Sequence, residues 1–159
     1  MKVLIVFGSK NDTEAMKGAA VALREFGVEY EAYVLSAHRV PEQLIKTINE
    51  SEKKGCKVII AGAGLAAHLP GVCASQTTMP VIGVPLKGAL EGLDALLSIV
   101  QMPKSIPVAT VAINNSYNAG MLAVQILATG DTEFSEKLKQ YRKTMKENFL
   151  KDNLQGEKL

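Results

Sequence analysis

Both histidines of the chain follow short apolar runs, and each has neighbours that suit a binding site. His38 lies in VLSAHRVP, the stretch from Val34 to Pro41. An imidazole with an ordinary pKa of about 6.5 can exchange protons at neutral pH. The next residue, Arg39, can bind a phosphate through two parallel hydrogen bonds, and Ser36 can add a third. The segment suggests a proton-transfer group beside an anion site, although a solvated His-Arg pair is the commoner reading of an isolated tetrapeptide.

A second polar loop, Gly8 to Asp12, comes between an apolar run and a helical pattern. Unpaired backbone N–H groups and the dipole at a helix N-terminus favour an anion. Ser9 and Asn11 add side-chain donors, so a phosphate would fit this loop. The alternative is that Asn11 or Asp12 only caps the helix, which these residue types commonly do.

The third loop, residues 62–71, reads GAGLAAHLPG and carries the second histidine, His68. Its glycines permit a positive φ and a close approach of a ligand to the backbone. The loop also matches G-x-G-x-x-A, the dinucleotide fingerprint, which needs an acidic residue roughly 20 positions later. No acidic residue lies between the start of this loop and Glu91, so the sequence argues against a nicotinamide or flavin dinucleotide. The alternative for His68 is that it caps or packs the start of the next helix.

The elements that position these loops alternate between strand and helix. Strands are predicted at 2–7, 29–35, 58–61, 81–84 and 108–113, and helices at 13–26, 41–54, from about 68, 90–100 and 118–128. Short, unbroken apolar strands are typical of a parallel sheet that is buried on both faces. We therefore predict an α/β fold, a three-layer αβα sandwich with a flavodoxin-like five-stranded parallel sheet in the order 2-1-3-4-5.

The predicted sheet brings the three loops to one edge. Ligands of such sheets bind outside the carboxyl ends of the strands, where the strand order reverses. The loops after strands 1 and 3 meet there, and the loop after strand 2 lies beside them. Both histidines then lie on adjacent loops, an arrangement that chance alone seldom produces. The sequence predicts that His38 and His68 share one ligand site.

Composition restricts the cellular context and the partners. The chain has 159 residues, of which 47% are hydrophobic and 21% charged, and this balance predicts one globular domain. A net charge of +2 without a basic stripe argues against nucleic acid or a membrane as partner. The first apolar run is only of strand length, so we expect a cytoplasmic protein. Cys56 and Cys73 lack metal-ligand spacing, so we expect structural thiols and no metal.

The last part of the chain reads as one amphipathic helix after Asp131. One stripe of this helix is apolar and consists of Phe134, Leu138, Tyr141, Met145 and Phe149. We treat residues 1–130 as the α/β part and residues 131–159 as a helical extension of the same single domain. The stripe could pack on its own domain or on a neighbouring subunit, and the sequence favours neither. Residues after 150 are expected to fray.

Several segments taken together resemble a known enzyme family. They are GSKND, SAHRVP, AGAGLAAHLPG, PVIGVP and LLSIVQMP followed by IPVATVAI. In order and extent, from Val3 to about Thr129, they are similar to the N5-carboxyaminoimidazole ribonucleotide mutase family of de novo purine synthesis. SAHR and AAHLPG are specific in combination, whereas GVP alone means little.

The resemblance implies an isomerase that moves a carboxylate from the exocyclic nitrogen of aminoimidazole ribonucleotide to ring carbon C4. It also implies a small ribonucleotide substrate, no metal, ATP or organic cofactor, and a homo-octamer with sites near subunit contacts. His38 and His68 would be the catalytic residues: the proton chemistry would belong to His38, while His68 would either hydrogen-bond the carboxylate or orient His38, and the sequence does not choose between these roles. The other residues that the family pattern would place at the substrate are Ser9, Asn11, Asp12, Ser36, Arg39, Gly64, Ala66 and Leu69. Among these, Ser9, Ser36 and Arg39 would hold the 5′-phosphate and Asp12 the ribose hydroxyls, while the segment 64–69 would line the pocket around the ring.

The chain departs from the family pattern at several positions. Lys10 and Asn11 stand where Asp and Ser are usual, and Leu65 replaces a common Gly, so that its side chain either narrows the pocket or points away from it.

Two alternative functions remain. One is the related CO2-dependent aminoimidazole ribonucleotide carboxylase, in which the AAHLPG stretch differs, so that His68 favours the mutase. The other is a non-catalytic, flavodoxin-like module that binds a mononucleotide.

Overall fold

The computed structural model describes residues 2–154, which form five strands and six α-helices. The strands are β1 (Val3–Phe7), β2 (Tyr30–Val34), β3 (Val58–Ala63), β4 (Val81–Pro85) and β5 (Ala109–Thr110). The helices are α1 (Thr13–Glu25), α2 (Pro41–Lys53), α3 (Leu69–Gln76), α4 (Leu93–Val100), α5 (Ser116–Ala128) and α6 (Thr132–Asn153). A short 3₁₀ turn, Lys10–Asp12, joins β1 to α1. Within residues 2–154, no helix is long and apolar enough to cross a membrane.

The sheet is entirely parallel and its order is β2-β1-β3-β4-β5, as predicted. In the central strand, Val3 pairs with Tyr30 of β2 on one side and with Val58 of β3 on the other. Because all strands run in the same direction, their carboxyl ends lie along one edge. The loops that carry both histidines therefore meet at that edge.

Two apolar cores, one on each face of the sheet, hold the three layers together. β1, β3 and β4 are buried throughout, and their successive side chains point to opposite faces. Ile5 and Ile60 enter the core that α1 and α5 cover. Leu4 and Ile59 enter the core that α2, α3 and α4 cover. Burying a side chain of this size stabilises the fold by about 1.5–3 kcal/mol, so the central strands form a rigid base for the loops.

The two edge strands differ from the prediction that every strand is buried on both faces. The residues of β2 are half-buried or exposed. β5, predicted over 108–113, pairs only through Ala109 and Thr110. An apolar run does not reveal whether its strand has neighbours on both sides, and an edge strand has only one.

The start of α4 also differs from the prediction of a helix over 90–100. Leu90, Glu91 and Gly92 have φ values of 46°, 55° and 89°, which belong to the left-handed region. A right-handed helix cannot contain them, so α4 begins at Leu93. The three residues instead form a tight turn in the loop between β4 and α4.

Close packing between α1 and α5 fixes the helix that follows the first loop. A side chain at Gly120 would lie 2.7 Å from the Ala19 carbonyl oxygen, so only glycine allows this approach. The Ser116 hydroxyl donates to the carbonyl of Ala15 at 2.5 Å. These contacts hold the N-terminal half of α1 against α5.

The apolar stripe of α6 divides into two parts. Phe134 is buried, and Leu138 and Tyr141 pack against the core beneath α1 and α5. Met145 and Phe149 are exposed. The first half therefore packs on its own domain, and the second half has no apolar cover from residues 2–154. The helix continues to Asn153, and residues 155–159 of the predicted extension lie outside the described part of the chain.

Candidate active site

A cavity of about 490 Å³ opens at the carboxyl edge of the sheet, between the loops that follow β1, β2, β3 and β4. Nine of the ten residues predicted for the site line it: Ser9, Asn11, Asp12, Ser36, His38, Arg39, Gly64, Ala66 and Leu69. Ala37 and Ala63 add small apolar walls. The tenth residue, His68, reaches the cavity through a contact with His38. The structure therefore brings all ten together, while the role of each stays a prediction.

The two imidazoles form a hydrogen-bonded pair. Nε2 of His38 and Nδ1 of His68 are 2.7 Å apart, and the ring planes meet at 85°. His38 extends from the loop after β2, and His68 precedes the first residue of α3. Since a hydrogen bond needs one donor and one acceptor, one proton lies between these two nitrogens. The second nitrogen of His38, Nδ1, is not used by this bond and is available for a ligand.

Polar groups from two loops converge at the β1–β2 end of the cavity. The Ser9 hydroxyl oxygen accepts the backbone N–H of Asn11 at 3.2 Å, and its own proton is left to donate to a ligand. Nη2 of Arg39 donates to the carbonyl of Gly8 at 3.1 Å, which holds the guanidinium beside the same loop. Ser36 comes from the end of β2. Hydroxyl and guanidinium donors of this kind suit a phosphate.

Asp12 is an acid within the cavity wall, at the start of α1. Its side chain makes no capping hydrogen bond to α1. Partial burial raises the pKa of its carboxyl above the usual value. A carboxylate that is not used by its own helix is free to accept hydrogen bonds from a ligand, such as those of ribose hydroxyls.

The loop after β3 has an unusual backbone. Leu65 and Ala67 have φ values of 56° and 46°, a region that favours glycine. The Leu65 side chain is 60% exposed and lines the rim of the cavity. It therefore narrows the mouth and does not fill the interior. The Ser98 hydroxyl of α4 donates to the carbonyl of Ala66 at 2.5 Å and holds the loop in place.

A second, shallower cavity of about 280 Å³ lies on the other side of His68. Its lining includes Ala67, Gly71, Ser75, Ser98 and Met102. His68 therefore stands between the two hollows, with Nδ1 directed to His38.

Sequence reasoning missed the fourth loop of the site. Lys87 and Gly88 follow β4 and line the cavity. A signal for them existed, because the order 2-1-3-4-5 places the end of β4 next to the end of β3. Gly88 also lies close to Leu65, since a side chain at this glycine would come 3.4 Å from Cδ2 of Leu65. The two loops therefore form one rim.

The described residues offer no ready metal centre. Among residues 2–154 there is no group of three or more His, Cys, Asp or Glu side chains arranged to hold an ion. The absence of a metal or cofactor in the reaction stays a prediction. What the arrangement offers is proton transfer by a histidine pair, next to hydroxyl and guanidinium donors that suit an anion.

Comparison with known proteins gives consistent matches. The family model described as AIR carboxylase matches residues 2–148. A Saccharolobus solfataricus protein named N5-carboxyaminoimidazole ribonucleotide mutase is 52% identical over 98% of this chain and 99% of its own length. A Pyrococcus horikoshii protein of the same name is 57% identical over 89% of this chain and 81% of its own length.

Two further matches extend the comparison. A Schizosaccharomyces pombe protein named phosphoribosylaminoimidazole carboxylase is 52% identical over 92% of this chain, but this match covers only 27% of that longer protein. A crystal structure of Treponema denticola PurE superposes with a TM-score of 0.88, at 26% identity, over 98% of both chains.

Proposed function

The chain belongs to the AIR carboxylase family, and we propose that it catalyses the reaction for which its archaeal relatives are named, that of N5-carboxyaminoimidazole ribonucleotide mutase. The enzyme is then an isomerase of purine biosynthesis. The observation that carries the proposal is the 2.7 Å pairing of His38 with His68 at a cavity that also contains Arg39 and Ser9. The similarity to the mutases extends over nearly the whole length of the S. solfataricus relative.

The reaction needs one proton to be given and one to be taken. The bond between the exocyclic nitrogen and the carboxyl carbon breaks as that nitrogen receives a proton, which yields carbon dioxide and aminoimidazole ribonucleotide. A bond between C4 and the carbon dioxide then forms, and C4 loses its proton. One imidazole can perform both steps, because the proton that it delivers is replaced by the one that leaves C4. We assign this work to His38.

The remaining roles that we propose are those that the family resemblance implies, and the positions of the residues in the cavity support them. Ser9, Ser36 and Arg39 hold the 5′-phosphate at the β1–β2 end, and Asp12 accepts the ribose hydroxyls. The backbone of Gly64, Ala66 and Leu69 borders the aminoimidazole ring. His68 fixes the orientation and tautomer of His38 through their hydrogen bond. It acts as a positioning residue, since it lies behind His38 and outside the lining of the cavity.

Retention of carbon dioxide in the cavity supplies the part of the rate acceleration that proton transfer does not. General acid–base catalysis contributes about 10²–10⁴-fold, whereas holding two reactants together can contribute effective molarities of up to about 10⁸ M. The small side chains of Ala37, Ala63 and Ala66 leave room for carbon dioxide beside the ring. The narrowing of the mouth by Leu65 slows its escape.

Labelled bicarbonate tests this function against the carboxylase alternative. Enzyme is incubated with the N5-carboxylated substrate in a pool of labelled bicarbonate, and label in the C4-carboxylated product is measured at early times. Direct transfer within the cavity keeps the label of the product far below that of the pool. Label equal to that of the pool would contradict direct transfer and favour use of dissolved carbon dioxide. Binding without any conversion would favour the non-catalytic module.

The proposal includes self-association, as expected from the family. Leu93, Leu97 and Val100 form one stripe of α4, and each is about half exposed. Asp94 of the same helix has a buried Oδ1 without a hydrogen-bond partner among residues 2–154. An apolar stripe of this kind is typical of an interface. A second copy of the chain is the occupant that we propose, while the octameric number and the cytoplasmic location stay predictions.

A further inference from the structure

The cavity carries basic side chains at opposite ends. Besides His38, two of the described residues that line it are basic: Arg39 follows β2 and Lys87 follows β4. Three strand intervals, from β2 through β1 and β3 to β4, separate the two positions. At about 4.8 Å for each interval, their strands are roughly 14 Å apart. Each end of the cavity therefore has its own positive charge.

The backbone of Lys87 is fixed, although its side chain is not. Its N–H donates to Oδ1 of Asn114 at 2.8 Å, and the N–H of Asn114 donates to the carbonyl of Pro85 at 2.8 Å. Beyond this anchor, the Lys87 ammonium forms an ion pair with Glu91. The side chain of Lys87 is 54% exposed and that of Glu91 is 80% exposed. An exposed pair of this kind is worth at most about 1 kcal/mol, so a ligand can displace Glu91.

The charges of the cavity complement a ligand with two separated anions. Arg39 and Ser9 account for a phosphate at one end. Asp12 lies at that same end and would repel a second anion there. The end at Lys87 has no acid in the cavity wall within the described residues, because Glu91 is not part of the lining. The second anion therefore belongs at the β4 end.

We propose that Lys87 binds the carboxylate that migrates during the reaction, and that Glu91 forms an ion pair with this lysine while the site is empty. This inference rests on the proposed function, since the substrate and product of the mutase carry a phosphate and a carboxylate. Aminoimidazole ribonucleotide, which has the phosphate but no carboxylate, lacks the group that Lys87 holds. Lys87 is therefore a specificity residue that distinguishes carboxylated from uncarboxylated ligands.

Calorimetric binding of two ligands tests the assignment. Affinities for aminoimidazole ribonucleotide and for its C4-carboxylated form are measured in a His38→Asn background, in which no carboxyl transfer interferes. Lys87→Met should weaken binding of the carboxylated ligand about tenfold or more and change binding of the uncarboxylated ligand less than twofold, because a hydrogen bond to a charged group is lost. Glu91→Gln should act in the opposite direction and strengthen binding of the carboxylated ligand up to about fivefold.

Lys10→Met is the matched control. Lys10 lies in the 3₁₀ turn near the mouth but not in the lining of the cavity, so its removal measures the general effect of one lost positive charge. An equal loss of both ligands in Lys87→Met would overturn the assignment and place the lysine at the phosphate. Affinities for both ligands that are the same in Lys87→Met as in its His38→Asn parent would overturn the assignment as well. If the His38→Asn parent binds neither ligand, the proposed function itself fails, which is a different result from a parent that binds both.

Discussion

Nε2 of His38 lies 2.7 Å from Nδ1 of His68, so the two imidazoles share one hydrogen-bonded proton. The bond joins the loop after β2 to the start of α3 and crosses the end of β1. It leaves Nδ1 of His38 free for the substrate. The proton that the reaction needs is therefore held by a pair, of which one member contacts the ligand.

Replacement of His38 by asparagine should abolish turnover and preserve binding. Asparagine can form hydrogen bonds but cannot exchange a proton at neutral pH, so we expect kcat to fall at least about a hundredfold. Calorimetric affinity for aminoimidazole ribonucleotide should change less than threefold. A variant that keeps its rate would remove His38 from the chemistry.

Replacement of His68 by asparagine should lower the rate without weakening substrate binding. Misplacement of the catalytic imidazole can cost up to about a hundredfold in kcat, with little effect on KM. A rise in KM at constant kcat would instead assign His68 to substrate binding, and an unchanged kcat would assign it to packing alone. Circular dichroism of the variant controls for folding.

Replacement of Arg39 by alanine should mainly weaken binding of the phosphorylated substrate. Loss of a charge-assisted hydrogen bond predicts a rise in KM of about ten- to a hundredfold. Binding of the corresponding ribonucleoside, which has no phosphate, should not change. Arg24→Ala is the control, because Arg24 is an exposed arginine that donates to the Tyr30 hydroxyl far from the cavity. Equal effects on nucleotide and nucleoside would contradict the phosphate role.

Replacement of Asp12 by asparagine should stabilise the free protein at neutral pH while weakening substrate binding. Partial burial raises the pKa of Asp12 in the folded state, so its ionisation costs stability above that pKa. The cost disappears as pH falls below the unfolded value of 3.8. The difference in Tm between Asp12→Asn and the parent should therefore be positive at pH 7 and vanish near pH 3.5. A difference that is the same at both pH values would contradict a cost from burial of the ionised carboxyl.

The matched control for this variant is Asp152→Asn. Asp152 is an exposed residue in the last turn of α6, so the variant removes the same charge away from the cavity. The side chain of Asp12 makes no capping hydrogen bond to α1, so Asp12→Asn leaves the start of this helix intact.

A lysine in the apolar stripe of α4 should dissociate the assembly. Leu97→Lys puts a charge at the centre of the stripe, and an unpaired charge in an interface is costly. Light scattering after size exclusion should give a smaller mass than for the parent. Val21→Lys introduces the same charge at an isolated exposed position of α1 and should leave the mass unchanged. Equal masses for Leu97→Lys and the parent would place the interface elsewhere.

The fold was predictable because its signals are local. The apolar run 58–61 and the loop that follows it suffice to predict β3 and to put His68 after its carboxyl end. The strand order was predicted by analogy with flavodoxin-like folds, because right-handed connections alone also allow other orders. Burial of the edge strands was not predictable, because the apolar residues of β2 do not show how many neighbours the strand has.

The fourth loop of the site escaped prediction for a different reason. Lys87 comes shortly after the PVIGVP segment, and the predicted order placed the end of β4 beside the end of β3, but only the assembled sheet shows that Lys87 lines the cavity. The left-handed turn at Leu90 and Glu91 likewise breaks an apolar pattern that reads as helix. Tertiary contacts override local preference at such positions, so a sequence pattern cannot reveal them.

The Ser98 hydroxyl, bonded to the carbonyl of Ala66, comes directly after the exposed Leu97. The same helix thus presents the surface expected to meet a second copy and tethers the backbone two residues before His68. We therefore expect the proposed subunit association to affect turnover through α4. Specific activity measured through a dilution series will report association and turnover together, so rates of variants are comparable only at matched protein concentration.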